Sequence, residues 1–189
     1  DGDERPISTS HVSVVDAKGN AVSMTTTVGM PFGSRLMVRG FMLNDELTDF
    51  AAVPVRHGLP VANRPGPLKR PRSSMAPTIV TDSQGRLVMT LGSPGGSSII
   101  GYVAKTLIAA LDWNLPLQDA IALPHHINKN ALTELEKGTG LENIAPDLKK
   151  LGHIVSIRSK TSGLHGIRVL PDGLEGAADP RREGVAIGD

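Results

Sequence analysis

Apolar and polar positions alternate with period two around Val12 and Val14, which predicts a half-buried strand. Asp16-Ala17-Lys18-Gly19-Asn20 has the composition of a turn, and a second strand is expected over Ala21 to Val28. The two form a hairpin. Its leading end is the hydroxyl-rich run Ser8-Thr9-Ser10, and its return strand ends in Thr25-Thr26-Thr27. Antiparallel pairing brings those ends together, so Thr9 is expected beside Thr27. Leu36 to Leu43 has strand character broken by Gly40, and the Pro- and Gly-rich residues 51–67 show no period and read as a loop. Strands are expected over Met75 to Val80 and Leu87 to Leu91, around the turn Asp82-Ser83-Gln84-Gly85. Ile99, Ile100, Val103, Leu107, Ala110 and Leu111 recur at helical spacing. Pro116 opens a short helix through Ala122, and Glu142 to Leu151 reads as an amphipathic helix ended by Gly152. Val155 to Ile157 and Gly166 to Leu170 are closing strands, followed by a Pro171-Asp172-Gly173 turn. Neither an internal repeat nor a second domain boundary is visible.

The 189 residues suit one domain, or part of a larger one, with a sizeable core. A formal charge of +1 supplies no field that would recommend nucleic acid or a membrane surface as partner. Aromatic residues are 3% of the chain, too few for the stacking platforms of single-strand binders. The 21 glycines and 14 prolines are dispersed, which indicates many turns in an ordered fold and not a disordered tract. The absence of cysteine removes disulfides, thiolate metal sites and cysteine catalysis. No apolar run approaches a membrane span, and no signal peptide is visible. The adjacent His125-His126 cannot both face one site from a strand, and no third ligand has metal spacing. No metal or cofactor is expected.

Three stretches carry chemistry. Gly92-Ser93-Pro94-Gly95-Gly96 lies between a strand and a helix, where free backbone amides bind anions and paired glycines admit a close approach. It lacks the Gly-Lys-Ser/Thr of a phosphate loop, which leaves an oxyanion site or a plain tight turn. Asp45, Glu46 and Asp49 crowd one segment and, as bare sequence, read as a solvated acidic turn. Lys69-Arg70-Pro71-Arg72 is a short basic run before Ser73-Ser74, too small for a nucleic-acid surface in a near-neutral chain. A Ser-His-Asp arrangement using His11 and Asp16 is the rival to any threonine chemistry, since alternation puts His11 on the strand face of Thr9.

The strings Thr9-Ser10-His11-Val12-Ser13-Val14-Val15-Asp16, Thr25-Thr26-Thr27, Phe32-Gly33-Ser34, Leu43 to Phe50, Lys69 to Thr78 and Gly92 to Ser97 resemble, in order, motifs of the γ-glutamyltranspeptidase small subunit. The likeness runs from Thr9 to Asp179-Pro180-Arg181. That family belongs to the N-terminal-nucleophile hydrolases. The resemblance implies an α+β fold, the αββα sandwich of antiparallel sheets between helices, present here as its small-subunit half. Residues 1–8 would end the large-subunit region before the cleavage point, and 9–189 would form the small-subunit domain. The chain is then either an unprocessed form or one cut near the junction.

Several roles follow from the resemblance. Thr9 is the nucleophile, freed by autoproteolysis at Ser8-Thr9, and Thr27 orients it. Gly95 and Gly96 form the oxyanion hole. Glu46 and Asp49 bind the substrate's α-amino group, and Ser73 and Ser74 its α-carboxylate. The implied activity is γ-glutamyl hydrolysis or transfer from glutathione and related amides. Alternatives are a cephalosporin (glutaryl) acylase of the same fold and a non-catalytic interaction module. The implied partner is the large subunit of the same precursor, in a periplasmic or extracellular setting, with the cytoplasm as alternative. Two positions depart from the family pattern: Gly29 stands where a donor-binding Asn is usual, and Asp45-Glu46 where Asn-Gln is common. Residues 51–67 are shorter than a lid-bearing segment and lack its tyrosine, so a reduced lid is expected. His125-His126 is expected to be structural.

Overall fold

The computed structural model describes residues 9–188. The expected pre-cleavage segment, residues 1–8, and the last residue lie outside the described residues.

Strand β1 (Ser10–Val15) pairs antiparallel with β2 (Ala21–Thr26), from Ser10 opposite Thr26 to Val15 opposite Ala21. Asp16 closes the turn, accepting the amides of Lys18 and Asn20 at 2.8 Å on one carboxylate oxygen. The return strand stops at Thr26, short of the expected Val28. The Gly29 amide turns back to the Thr27 hydroxyl, and the Val28 carbonyl accepts the Asp45 amide.

Two small hairpins follow, β3 (Met37–Val38) with β4 (Phe41–Met42), and β5 (Val55–Arg56) with β6 (Leu59–Pro60). Their turns, Arg39-Gly40 and His57-Gly58, place both residues at positive φ, the geometry that matches strand twist in two-residue turns. The expected strand over Leu36 to Leu43 is therefore a hairpin bent at Gly40, and the loop 51–67 contains the other.

The centre is a four-stranded antiparallel sheet in the order β13-β12-β8-β7, built from β7 (Thr78–Thr81), β8 (Leu87–Gly92), β12 (His165–Leu170) and β13 (Gly173–Ala178). Met89 and Leu91 of β8 are fully buried beneath α1 (Ile99–Leu111) and α2 (Leu117–Ala122), in a core with Ile99, Tyr102, Val103, Leu117 and Ile121. The opposite face carries Gly92, where a Cβ would lie 2.1 Å from the His11 ring, and it packs against the first hairpin.

A smaller sheet, order β11-β10-β9, uses β9 (His126–Asn128), β10 (Leu132–Glu136) and β11 (Ile154–Arg158). β10 and β11 run parallel, joined through a 3-10 turn (Gly140–Ile144) and α3 (Ala145–Lys150). The helix expected from Glu142 is split this way because Pro146 lacks an N–H and its ring would collide with the carbonyl four residues back.

The layers run helices, four-stranded sheet, hairpin, which is the α+β half-sandwich expected. The alternation expected in the hairpin is present, with the polar side covered, the inverse of the usual apolar-in arrangement. His11, Ser13, Ser23 and Thr25 face the central sheet, where Ser23 Oγ donates to the Leu91 carbonyl and accepts from the Thr78 amide, both at 3.1 Å. Val12, Val14, Val22 and Met24 point outward and are 40, 50, 51 and 49% exposed. In the register Val12 sits opposite Met24 and Val14 opposite Val22, so the four make one continuous apolar face.

Candidate active site

Thr9 lies one step beyond the last registered hairpin pair. Its Oγ1 donates a 3.1 Å hydrogen bond to Thr27 Oγ1, which also accepts the Gly29 amide at 3.0 Å. The two threonines are thus held together by the hairpin and by the turn that ends it.

Both line a cleft of about 450 Å³ that also takes in Glu46, Asp49, Ser73, Ser74 and Gly96. Seven of the residues expected in the site therefore border one cavity. Gly95, the eighth, is not a lining residue. Its backbone is at φ 139°, and a Cβ there would lie 2.5 Å from the Tyr102 ring. Gly96 (φ 54°) opens the short 3-10 turn Gly96–Ser98 that leads into α1. Among the described residues neither glycine amide donates to a backbone acceptor, and Gly96, exposed on the cleft, leaves its amide available to an anion.

Glu46 and Asp49 sit on the 3-10 turn Glu46–Asp49, with Asp45 just before it. Burial, then the neighbouring Asp49 and Asp45 carboxylates, push the Glu46 carboxyl above its ordinary range. A cation bound among the three would relieve that repulsion. Ser73 Oγ accepts the Met75 amide at 3.1 Å.

Asp45 has a definite place. Its Oδ1 accepts the Met30 amide at 3.0 Å and occupies the space a side chain at position 29 would need, 1.7 Å from an ideal Cβ on Gly29. The two departures from the family pattern thus meet in space, the Asp45 carboxylate filling the volume that glycine leaves open at position 29.

Asp45 and Arg72, noted only within the acidic and basic runs, also line the cleft, and sequence reasoning missed Thr48 and gave Ser97 no role. Asn63 ties two of its walls together: its Nδ2 donates to the Asp49 carbonyl at 2.6 Å, and its Oδ1 accepts the Arg72 amide at 3.0 Å. Nothing in a loop without periodicity could have singled it out. None of residues 51–67 lines the cleft, in keeping with a reduced lid.

The rival Ser-His-Asp arrangement fails on geometry. The His11 ring contacts Thr25 Oγ1 at 2.8 Å and Ser13 Oγ at 3.2 Å, not Thr9. Burial and then the His165 charge lower its pKa to about 4, and Asp16 is spent on the distant hairpin turn. His125 is buried, with Nε2 2.8 Å from Ser162 Oγ, which donates to Asp179 at 2.5 Å. This is a core network none of whose members lines the cleft, as expected of a structural histidine. Among the described residues no group of three His, Asp or Glu side chains is arranged to hold a metal ion, and no helix is long and apolar enough to cross a membrane.

A family model described as gamma-glutamyltranspeptidase matches residues 2–189. The chain is 39% identical over 194 residues to the glutathione hydrolase proenzyme of Pseudomonas aeruginosa, covering 96% of this chain and 35% of that protein. With the glutathione hydrolase proenzyme of Escherichia coli the identity is 40% over 187 residues, covering 92% and 31%. Among solved structures, gamma-glutamyltranspeptidase from Pseudomonas nitroreducens complexed with L-DON superposes with a TM-score of 0.82 at 35% identity, covering 95% of this chain and 98% of that one. The chain spans about a third of the length of these curated relatives. With residues 2–189 matched, and with its motif residues gathered on one cleft, the chain belongs to the gamma-glutamyltranspeptidase family.

Proposed function

We propose that this chain carries the nucleophile of a γ-glutamyl hydrolase/transferase that matures by autoproteolysis between Ser8 and Thr9. The observation that carries the reading is the 3.1 Å Thr9–Thr27 hydrogen bond inside a cleft that also holds Gly96, the serine pair and the acidic turn.

A threonine hydroxyl is a weak nucleophile that needs a base. Thr9 Oγ1 attacks the Ser8 carbonyl carbon, the peptide C–N bond breaks, and water hydrolyses the resulting ester. The freed α-amine, with an ordinary pKa of about 8, then takes the hydroxyl proton in each turnover. Thr9 Oγ1 attacks the γ-carbonyl of a glutamyl amide, and the Gly95 and Gly96 amides receive the developing oxyanion. Losing one such donor costs about 100- to 1000-fold. The amine leaves with a proton, and water or an acceptor amine releases the acyl group.

Glu46 and Asp49 would take the donor's α-ammonium, and Ser73 and Ser74 its α-carboxylate. A glutaryl donor has no ammonium, so it would leave the acidic turn unpaired, and the three carboxylates favour the γ-glutamyl reading over the acylase one.

The outward face of Val12, Val14, Val22 and Met24 would seat the upstream large subunit of the same precursor, which closes the sandwich. We place the mature protein in the periplasm or outside the cell, which fractionation of cells expressing the precursor checks.

The test is to express the chain with its upstream region and look by mass spectrometry for a new terminus at Thr9. Cleavage, together with turnover of γ-glutamyl-p-nitroanilide, is expected, and Thr9→Ala should abolish both. Full turnover by the Thr9→Ala variant would overturn the assignment.

A further inference from the structure

We infer that Ser93 is a positioning residue for the oxyanion turn: its buried hydroxyl fixes the Pro94–Gly95 peptide unit and so sets the direction of the Gly95 amide. The inference rests on the γ-glutamyl reading above, in which that amide receives the oxyanion.

The Pro94–Gly95 peptide unit swings on two dihedrals, ψ of Pro94 and φ of Gly95. The proline ring restrains only its own φ, and glycine is the residue least restricted in φ. The unit is therefore a soft joint unless something outside it holds it. Ser93 Oγ donates to the Pro94 carbonyl at 2.6 Å and accepts the Gly163 amide at 3.2 Å. With its proton on one carbonyl and its lone pair on one amide, the hydroxyl has a single orientation. The peptide is trans, so its N–H points opposite to the pinned carbonyl, away from the Ser93 hydroxyl.

The Gly163 amide is itself held. Residues 162–164 form a buried strap against the turn, where a Cβ on Gly163 would lie 2.7 Å from Pro94 Cγ. Asp179 Oδ2 accepts Ser162 Oγ at 2.5 Å and the Leu164 amide at 3.2 Å, one on each side of Gly163. The Asp179 amide returns to the Leu164 carbonyl at 2.8 Å, and Asp179 Oδ1 takes the Arg181 amide and guanidinium. Ser162 Oγ spends its proton on Asp179, so His125 Nε2, 2.8 Å away, donates to it. Burial, then the Lys105 charge, push the His125 pKa down to about 2, which keeps that ring neutral. Ser93, Ser162, His125 and Asp179 are 0 to 2% exposed.

The contacts thus run from a buried carboxylate to the peptide unit that carries the Gly95 amide, and none of these residues lines the cleft. They touch the reaction only through the turn. Disturbing them should weaken the hold on the tetrahedral state and spare the hold on the donor's ammonium and carboxylate.

The test uses the full precursor after its cleavage at Thr9, with γ-glutamyl-p-nitroanilide as donor and two competitive inhibitors. 2-Amino-4-boronobutanoic acid carries the donor's ammonium and carboxylate. Thr9 Oγ1 adds to its boron, the hydroxyl proton passes to the α-amine, and the tetrahedral anion places an oxygen where the oxyanion develops. Norvaline has the same ammonium and carboxylate and no group at that point. Ser93→Ala should lower donor kcat/KM by about 10- to 100-fold and weaken the boronate by a similar factor, with norvaline within about twofold. Ser162→Ala, one step farther from the turn, should show the same pattern with a loss of about three- to tenfold. An inhibition constant does not depend on the folded fraction, so a plain loss of stability moves neither inhibitor. As a control, Thr90→Val removes a buried β8 hydroxyl that has no partner among the described residues, and it should leave the ratio of the two constants within about twofold. In Ser93→Ala, boronate and norvaline weakened alike, or neither changed, overturns the inference while turnover by the parent upholds the function. Where that variant is not recovered cleaved, the same comparison in Ser162→Ala decides. A cleaved parent that turns over no donor would instead sink the function itself, and the inference with it.

Discussion

Replacing each glycine of the Gly95-Gly96 pair by alanine separates shape from chemistry at the oxyanion turn. Alanine keeps the amide, so any loss reports a displaced backbone. At Gly95 two penalties coincide. The backbone sits at φ 139° and ψ 20°, where a non-glycine residue costs about 1–3 kcal/mol. The new methyl would also lie 2.5 and 3.0 Å from two carbons of the buried Tyr102 ring, an overpacking cost of about 1–3 kcal/mol. Tyr102 cannot swing aside cheaply, because it packs in the core and against His125 at a ring separation of 4.2 Å. The strain is therefore expected to move the turn itself, and with it the amide to which the proposed mechanism gives the oxyanion. Turnover of γ-glutamyl-p-nitroanilide by the cleaved precursor should fall by about 100-fold or more in Gly95→Ala. At Gly96 an added Cβ meets nothing within 4 Å and φ is 54°, so only the left-handed penalty of about 1–2 kcal/mol applies. Gly96→Ala should keep activity within about tenfold. Adding Tyr102→Leu to Gly95→Ala removes the steric part, so the loss caused by Gly95→Ala should be smaller in the Tyr102→Leu background than in the parent. Equal, mild losses at both glycines would refute the account.

Three other outcomes follow from particular contacts. Gly29→Ala should cost more than tenfold in donor kcat/KM, and much less in an Asp45→Ala background, because the Asp45 carboxylate occupies the added methyl's space; additive effects in that double-variant cycle would break the proposed coupling. His11 has its pKa lowered from 6.5 to about 4, so its neutral form stabilises the fold fully above pH 6.5, and that contribution is lost as pH falls toward 4; protection of the β1–β2 amides, taken relative to the intrinsic exchange rate at each pH, should fall over this window, and His11→Gln should flatten the response. Arg181 bonds Glu136 at 2.6 and 2.9 Å and Asp179 at 3.1 Å in a largely buried group, so Arg181→Ala should destabilise by about 3–5 kcal/mol in denaturant unfolding, with Arg181→Lys recovering only part.

The hairpin, three of the four central strands, α1 and α2 were legible because each has a period and a flanking Gly or Pro signal, whereas the glycine-rich β13 shows no such period. The site was legible for a different reason: its residues fall in short strings whose order along the chain is more specific than any one of them. Strand β10 was invisible. Its sequence Leu-Thr-Glu-Leu-Glu reads as polar, yet Glu134 and Glu136 are taken inward by Lys160 and Arg181, partners 26 and 45 residues away. Local periodicity cannot register a charge neutralised at that distance. Asn63 escaped for a related reason, since its value lies in joining Asp49 to Arg72 and not in any pattern of its own.

The inverted hairpin shows where reading alternation goes astray. Period two is real in β1 and β2, but period alone does not say which face is covered by the same chain. Here the polar face is inside because hydroxyls and an imidazole find backbone and side-chain partners there: Ser23 with Leu91 and Thr78, Ser13 with the His165 carbonyl at 3.4 Å, His11 with Thr25. A buried polar group is tolerable only when bonded, and these are. The valines and Met24 then have nowhere to go but outward, onto a face that four half-exposed apolar side chains would not hold open in water without a covering surface. The same inversion sets Thr9, the residue before β1, at the junction of the hairpin with the central sheet, next to the turn that ends β8. A hairpin with its apolar side turned inward would carry Thr9 and Thr27 to the other face and away from Gly96. The exposed valines and the assembled cleft are thus two consequences of one choice of face.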